Sequence, residues 1–191
     1  ALAVWPLADR VAGRFLGVAG YLIAPTGEYK VDRTLGANLN PGSNRYAGIL
    51  QAGFHQRLPA EFEWSLAADV MAFGHNDDYI GDRVTMGPEG LVPARPATLE
   101  VKPYHSYQTS LAWRGHPAVT LAASYYIDRG AASRVDGGDW GPSINRDRYG
   151  LWGLFALTRQ TRINVSLKRA VSDRSALSLD SAVQVRLVQF F

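Results

Sequence analysis

The sequence has no cysteine among its 191 residues. That removes disulfides, thiolate zinc sites and cysteine nucleophiles together, and it makes an oxidising compartment harmless to the chain. Blocks of five or six like charges are also missing. The 20 Lys+Arg and 17 Asp+Glu leave a formal charge of +3 that is scattered along the chain, so neither a basic arm nor a nucleic-acid partner is expected. Long apolar runs are absent too. The longest charge-free apolar stretch, 15–27, is broken by Gly17, Gly20, Pro25 and Thr26, whereas a spanning helix needs roughly 20 apolar residues. No charged segment followed by an apolar core opens the chain, so no signal peptide is visible. Ala1–Leu7 reads as the end of a strand, which makes truncation at the N-terminus the expectation. Apolar residues make up 47% and aromatic residues 11%, a composition that supports an ordered fold.

What the sequence does have is a period of two. In 119–127 the odd positions are Val119, Leu121, Ala123, Tyr125 and Ile127, and the even ones Thr120, Ala122, Ser124 and Tyr126. In 162–168 Ile163, Val165 and Leu167 alternate with Arg162, Asn164, Ser166 and Lys168; near the end Val183, Val185 and Leu187 alternate with Gln184 and Arg186. A strand sends such sets to opposite faces, and a helix would mix them. The pattern predicts about eight strands, over 14–25, 44–57, 62–75, 104–114, 117–128, 148–159, 161–171 and 177–191. Most are ten residues or longer, where ordinary globular strands centre near 5–6 and tilted membrane-crossing strands need roughly 9–11.

The links alternate in length. Leu58–Glu61, Gly115–His116 and the region of Gln160 are short, whereas 26–43, 76–103 and 129–147 are long; 172–176 is a short exception on the long side. Long and short links therefore fall at opposite ends of the sheet, as in bacterial outer-membrane barrels. The predicted fold is all-β: one antiparallel transmembrane β-barrel domain over 1–191, with about eight strands visible and room for more. Its partner is the lipid bilayer, its expected location the bacterial outer membrane.

Inside a bilayer every backbone polar group must pair internally, and lipid contact selects apolar side chains at alternate positions. The outward set is predicted to hold Phe15, Ala19, Tyr21, Ile23, Leu50, Phe54, Trp64, Leu66, Val70, Leu111, Trp113, Leu151, Phe155 and Leu157. The lumen-lining set holds Arg45, Gln51, Asp69, Gln108, Arg148, Arg162, Asn164, Lys168, Asp180, Gln184 and Arg186, with His55 beside them. Aromatic girdles are expected at both membrane interfaces: Phe15, Trp64, Trp113 and Phe191 toward the short turns, and Tyr21, Tyr46, Tyr125 and Tyr149 toward the long loops.

Two segments carry a resemblance. Tyr21-Leu-Ile-Ala-Pro-Thr-Gly-Glu-Tyr29, followed by Asn40-Pro-Gly-Ser-Asn-Arg-Tyr46, resembles the outer-membrane transporter family named for the MetA pathway of phenol degradation. The closing Val185-Arg-Leu-Val-Gln-Phe-Phe191 is similar to the terminal-strand signal read by the outer-membrane assembly machinery, which the resemblance makes a second partner. It implies passive passage of small hydrophobic or aromatic compounds, with no catalytic residues and no cofactor. Family members are usually longer, which leaves the strand count open.

Site chemistry is sparse. The four histidines, His55, His75, His105 and His116, show no paired metal-ligand spacing. His75-Asn-Asp-Asp78 reads as a solvated loop rather than a hydrolytic rim. Asp136-Gly-Gly-Asp-Trp-Gly141 lacks the acidic spacing of a calcium loop. No catalytic or metal residue is assigned. Two other functions stay open at this point: a structural or adhesive barrel with a closed interior, and a barrel-embedded hydrolase or acyltransferase. Eight strands enclose just enough space for side chains, and more strands open a channel.

Overall fold

A computed structural model describes residues 3–9, 13–27, 44–79, 84–88, 90–93, 96–173 and 181–190. All regular structure among them is β. Nine strands form one antiparallel sheet: β1 (Ala3–Asp9), β2 (Arg14–Ile23), β3 (Ala47–Leu58), β4 (Phe62–Phe73), β9 (Tyr104–His116), β10 (Val119–Gly130), β12 (Ile144–Ala156), β13 (Thr161–Asp173) and β14 (Ser181–Gln189). Each pairs with the next, so every connection in this sheet is a hairpin or a longer excursion between neighbours. Among the described residues β1 pairs only with β2, and β14 only with β13, which leaves two free edges.

The predicted strands are all present, and β1 adds a ninth. Two of the three long links carry strands of their own. β5 (Asn76–Tyr79), β8 (Ala97–Val101) and β11 (Ser133–Val135) form a three-stranded sheet, and β6 (Val84–Gly87) pairs with β7 (Gly90–Pro93). Long excursions fold back on themselves because a backbone left unpaired wastes its hydrogen bonds. The third long link, 28–43, lies outside the described residues, as do Asp180 and Phe191 from the predicted lumen and girdle sets.

The short turns show how the chain reverses at one end. Between β3 and β4, Ala60 and Glu61 both have positive φ, 58° and 60°, and the Phe62 N–H donates to the Pro59 carbonyl at 3.4 Å. The loop holds Pro59, Ala60 and Glu61 between the paired Leu58 and Phe62, and its two left-handed positions are filled without the Asn or Gly that such backbone favours. Between β12 and β13 the Thr158 hydroxyl accepts from the N–H groups of Gln160 and Thr161, at 3.1 and 2.9 Å.

Register fixes which residues share a face. Leu50 faces Val70, and Phe54 faces Leu66; Trp64 faces Leu111; Leu121 faces both Trp113 and Gly153; Val165 faces both Gly153 and Val185. These side chains form one continuous apolar face, and it is exposed. Leu121 is 45% accessible, Leu151 50% and Val185 67%. A water-soluble protein rarely leaves a contiguous apolar patch of this extent uncovered. Along β4 the face runs from Phe62 to Ala72, ten residue steps. At roughly 3.3 Å per step and a tilt near 40°, that covers about 25 Å of height, the size of the apolar band on outer-membrane barrels.

Candidate functional site

The opposite face collects the polar side chains. Gln51 faces Asp69, Asp69 faces Ser106, Ser106 faces Asp128, Asp128 faces Arg146, and Arg146 faces Asp173. One polar row thus crosses six strands near the long-link end. The next row toward the short turns holds Gln108, Tyr126 and Arg148, followed by a row with His55, Ser65, Ser110, Ser124, Gly150 and Lys168. In that third row His55 Nδ1 and Ser65 Oγ lie 3.1 Å apart. Beyond it come Gln184 and Ser166, then Asn164 facing Arg186, then Arg162.

Register therefore gathers Gln51, Asp69, Gln108, Arg148, Arg162, Asn164, Lys168, Gln184 and Arg186 on one face, as the alternation predicts. Arg45 precedes β3, and its guanidinium lies 4.6 Å from the centre of the Phe73 ring; Phe73 faces Ala47 on the polar side. Trp64, Trp113, Tyr125 and Tyr149 share the apolar face. Trp64 Nε1 donates to Thr109 Oγ1 there at 3.0 Å, and Tyr125 directly faces Tyr149. Tyr46, just before β3, is exposed.

One strand departs from the prediction. Phe15 faces His55, Ala19 faces Gln51, Tyr21 faces Ile49 and Ile23 faces Ala47. All four belong to the polar face, and the apolar face of β2 is made by Leu16, Val18, Gly20 and Leu22. The sequence assigned Phe15 and Tyr21 to the girdles because β2 is apolar on both faces. Its alternation carries no sign, and pairing with β3 decides the face.

The most tightly bonded side chain of the polar face is one the sequence reading passed over. Asp128 is 1% accessible. Its Oδ1 accepts from the Tyr104 hydroxyl at 2.7 Å and from Ser106 Oγ at 3.2 Å. Its Oδ2 accepts from Arg148 Nη2 at 2.7 Å and from Arg146 Nε and Nη2 at 3.3 Å. A buried carboxylate survives only when charge and lone pairs are both satisfied, and here four side chains do so. Placing Asp128 at a strand's end, beside a presumed loop, hid it. The same even-numbered alternation that links Ser124 and Tyr126 would have found it.

Outside this sheet, β8 and β11 are locked by Arg134, which grips Glu100 through two hydrogen bonds of 3.0 and 2.7 Å. The hydrogen bond from Arg134 holds the Glu100 carboxyl below its usual pKa, and the same bond raises the guanidinium. The centre of the Trp140 ring lies 4.5 Å from Lys102 Nζ and 4.6 Å from the Arg134 guanidinium. Asp136 Oδ1 caps the Thr98 N–H at 2.8 Å, and the Asp136 N–H donates to the Thr98 carbonyl, so the exposed Asp136–Gly141 segment is tied to β8 by hydrogen bonds. Asn76 is buried, and its Oδ1 accepts from Asn44 Nδ2 and from the Asp78 N–H. The Asn-Asp-Asp motif is thus a turn with its side chains in use. Among the described residues no group of three or more His, Asp or Glu is placed to hold a metal.

A family model described as the MetA-pathway of phenol degradation matches residues 1–182. The chain belongs to this family. Among solved structures, the crystal structure of an outer membrane channel from Pseudomonas putida F1 has the same fold, with a TM-score of 0.71 at 22% sequence identity. The match covers 98% of this chain and 63% of that one, so the family member described here spans less than two thirds of that channel's length. No curated protein shows a significant likeness to it. The fold is that of a bacterial outer-membrane β-barrel, and among the described residues the nine-stranded sheet is open, with β1 and β14 at its edges.

Proposed function

We propose that this chain forms the wall of an outer-membrane channel for passive passage of small hydrophobic or aromatic compounds. The apolar face is its lipid contact and the polar face its lumen. The observation that carries this reading is the division of the sheet: Leu50, Leu66, Leu111, Leu151 and Val185 on one side, and the row from Gln51 to Asp173 on the other. Hydrocarbon tolerates the first and a hydrated interior the second.

The match to only part of a longer barrel favours a wide interior over a plugged one, since nine strands already exceed the number whose interior side chains fill. Family membership and the channel fold of its structural neighbour support the substrate class. On this reading the strands of the two long links, β5 to β8 and β11, gate entry at one end of the channel. The terminal strand leading to Phe191 is the proposed contact with the assembly machinery.

Uptake of radiolabelled aromatic compounds into proteoliposomes tests the reading. Entry should be faster than into empty liposomes, and faster again when the two folded links are shortened. Equal rates with and without protein would refute it.

A further inference from the structure

The charges on the polar face are unevenly shared. On β12, β13 and β14 that face carries Arg146, Arg148, Lys168, Arg162 and Arg186. The facing acids are Asp128 from β10 and Asp173 from β13, both in the row nearest the long links. Asp128 engages Arg146 and Arg148, and Asp173 faces Arg146. Among the described residues no salt bridge reaches Lys168, Arg162 or Arg186. These three descend toward the short turns: Lys168, then Arg186 opposite Asn164, then Arg162. Four residues of strand separate the Lys168 row from the Asn164 row, about 13 Å of path.

Lys168 is held in place without an acid. Its ammonium lies 5.2 Å from the centre of the Tyr126 ring, and the Arg148 guanidinium lies 5.6 Å from the same centre. Gly150 leaves room for the ring: a Cβ there would meet Tyr126 Cε2 at 3.3 Å. The Ser124 hydroxyl faces Gly150 in the Lys168 row. It is 6% accessible and has no hydrogen-bond partner, although buried hydroxyls are normally satisfied. Trp152 stands on the same face one row further on.

We infer that the β12–β14 wall is a recognition path for aromatic carboxylates, with Lys168 beside Tyr126 as its first station and Arg186 and Arg162 as those that follow. This rests on the channel reading above and names the substrate class more narrowly. The cation takes the carboxylate, and the aromatic side chains Tyr126 and Trp152 take the aryl group. Cations without fixed acids bind an anion without first breaking a salt bridge, and several weak stations let it move on.

The test uses the protein in planar bilayers and proteoliposomes, with benzoate and its neutral analogue benzyl alcohol as probes. The protein should prefer chloride over potassium in reversal potentials. Removing the stations with Lys168→Gln and Arg186→Gln together should lower the benzoate-to-benzyl-alcohol flux ratio roughly tenfold, the effect of one lost charge-assisted hydrogen bond. Lys168→Arg should hold the ratio within about twofold, since charge is kept. Heat-dependent gel mobility confirms that each variant is folded. A cation-preferring channel, or a ratio unchanged in the double variant while both probes still cross, overturns this inference alone. Failure of both probes to cross overturns the channel reading with it.

Discussion

Replacing Asp128 tests the polar face where it is most tightly built. Its carboxylate is buried and accepts from Tyr104, Ser106, Arg146 and Arg148. Asp128→Asn keeps the shape, so the Tyr104 and Ser106 hydrogen bonds to the side-chain oxygen survive. What it removes is the charge, and it turns an NH2 group toward two guanidiniums. Breaking a buried ion pair from one side costs about 3–5 kcal/mol, and loss of a charge-assisted hydrogen bond about 1.5–3. We expect about 3 kcal/mol for Asp128→Asn and about 4 for Asp128→Ala, which also leaves a void. Urea unfolding in phospholipid vesicles, followed by tryptophan fluorescence, measures this directly. A double-mutant cycle with Arg148→Gln should return a coupling of at least about 1.5 kcal/mol, because the two side chains meet at 2.7 Å. A loss below about 0.5 kcal/mol for Asp128→Asn, or additive effects in the cycle, would mean that the buried carboxylate does not organise this wall.

Three further outcomes follow from the same geometry. Leu151→Arg, on the exposed apolar face, should cost about 2–4 kcal/mol in vesicles; a neutral result would show that this face does not meet hydrocarbon. Changing Ala60-Glu61 to Asn-Gly should stabilise the β3–β4 hairpin by about 1 kcal/mol, since both residues hold positive φ, and the same urea titration reads it. The Glu100–Arg134 lock should depend on pH. The folded pKa of Glu100 is depressed, so its stabilisation is present above the unfolded carboxylate range and is lost as pH falls through the lowered value. Hydrogen exchange in 97–101 and 133–135 should accelerate below about pH 4 in the wild type, while Glu100→Gln should show the faster exchange already at pH 7.

The architecture was legible because the physics that selects it is periodic. Lipid on one side and a polar face on the other write a period of two into most of the strands, and the lengths of the links show which ends lie together. The alternation of Arg162, Asn164 and Lys168 against Ile163, Val165 and Leu167 became two real faces for that reason. β2 was illegible for the complementary reason: Phe15, Ala19, Tyr21 and Ile23 are as apolar as Leu16, Val18 and Leu22, and only pairing to β3 tells them apart. The alternation through Ser124 and Tyr126 puts Asp128 on the polar face, but its burial and bonding depend on Tyr104, 24 positions away, and on Arg146 and Arg148, 18 and 20 away. No local pattern contains those separations. The contacts of Lys102 and Arg134 with the Trp140 ring were hidden likewise, inside segments whose glycines and aspartates read as open loop.

The absence of cysteine permits the most direct check of the central claim. Single cysteines at Asn164, Val165, Ser166, Leu167 and Lys168 can be probed in lipid nanodiscs with a charged maleimide and with a lipid-soluble one. The account predicts that 164, 166 and 168 react with the charged reagent, and that 165 and 167 react only with the lipid-soluble one. Uniform labelling, or the reverse alternation, would contradict it.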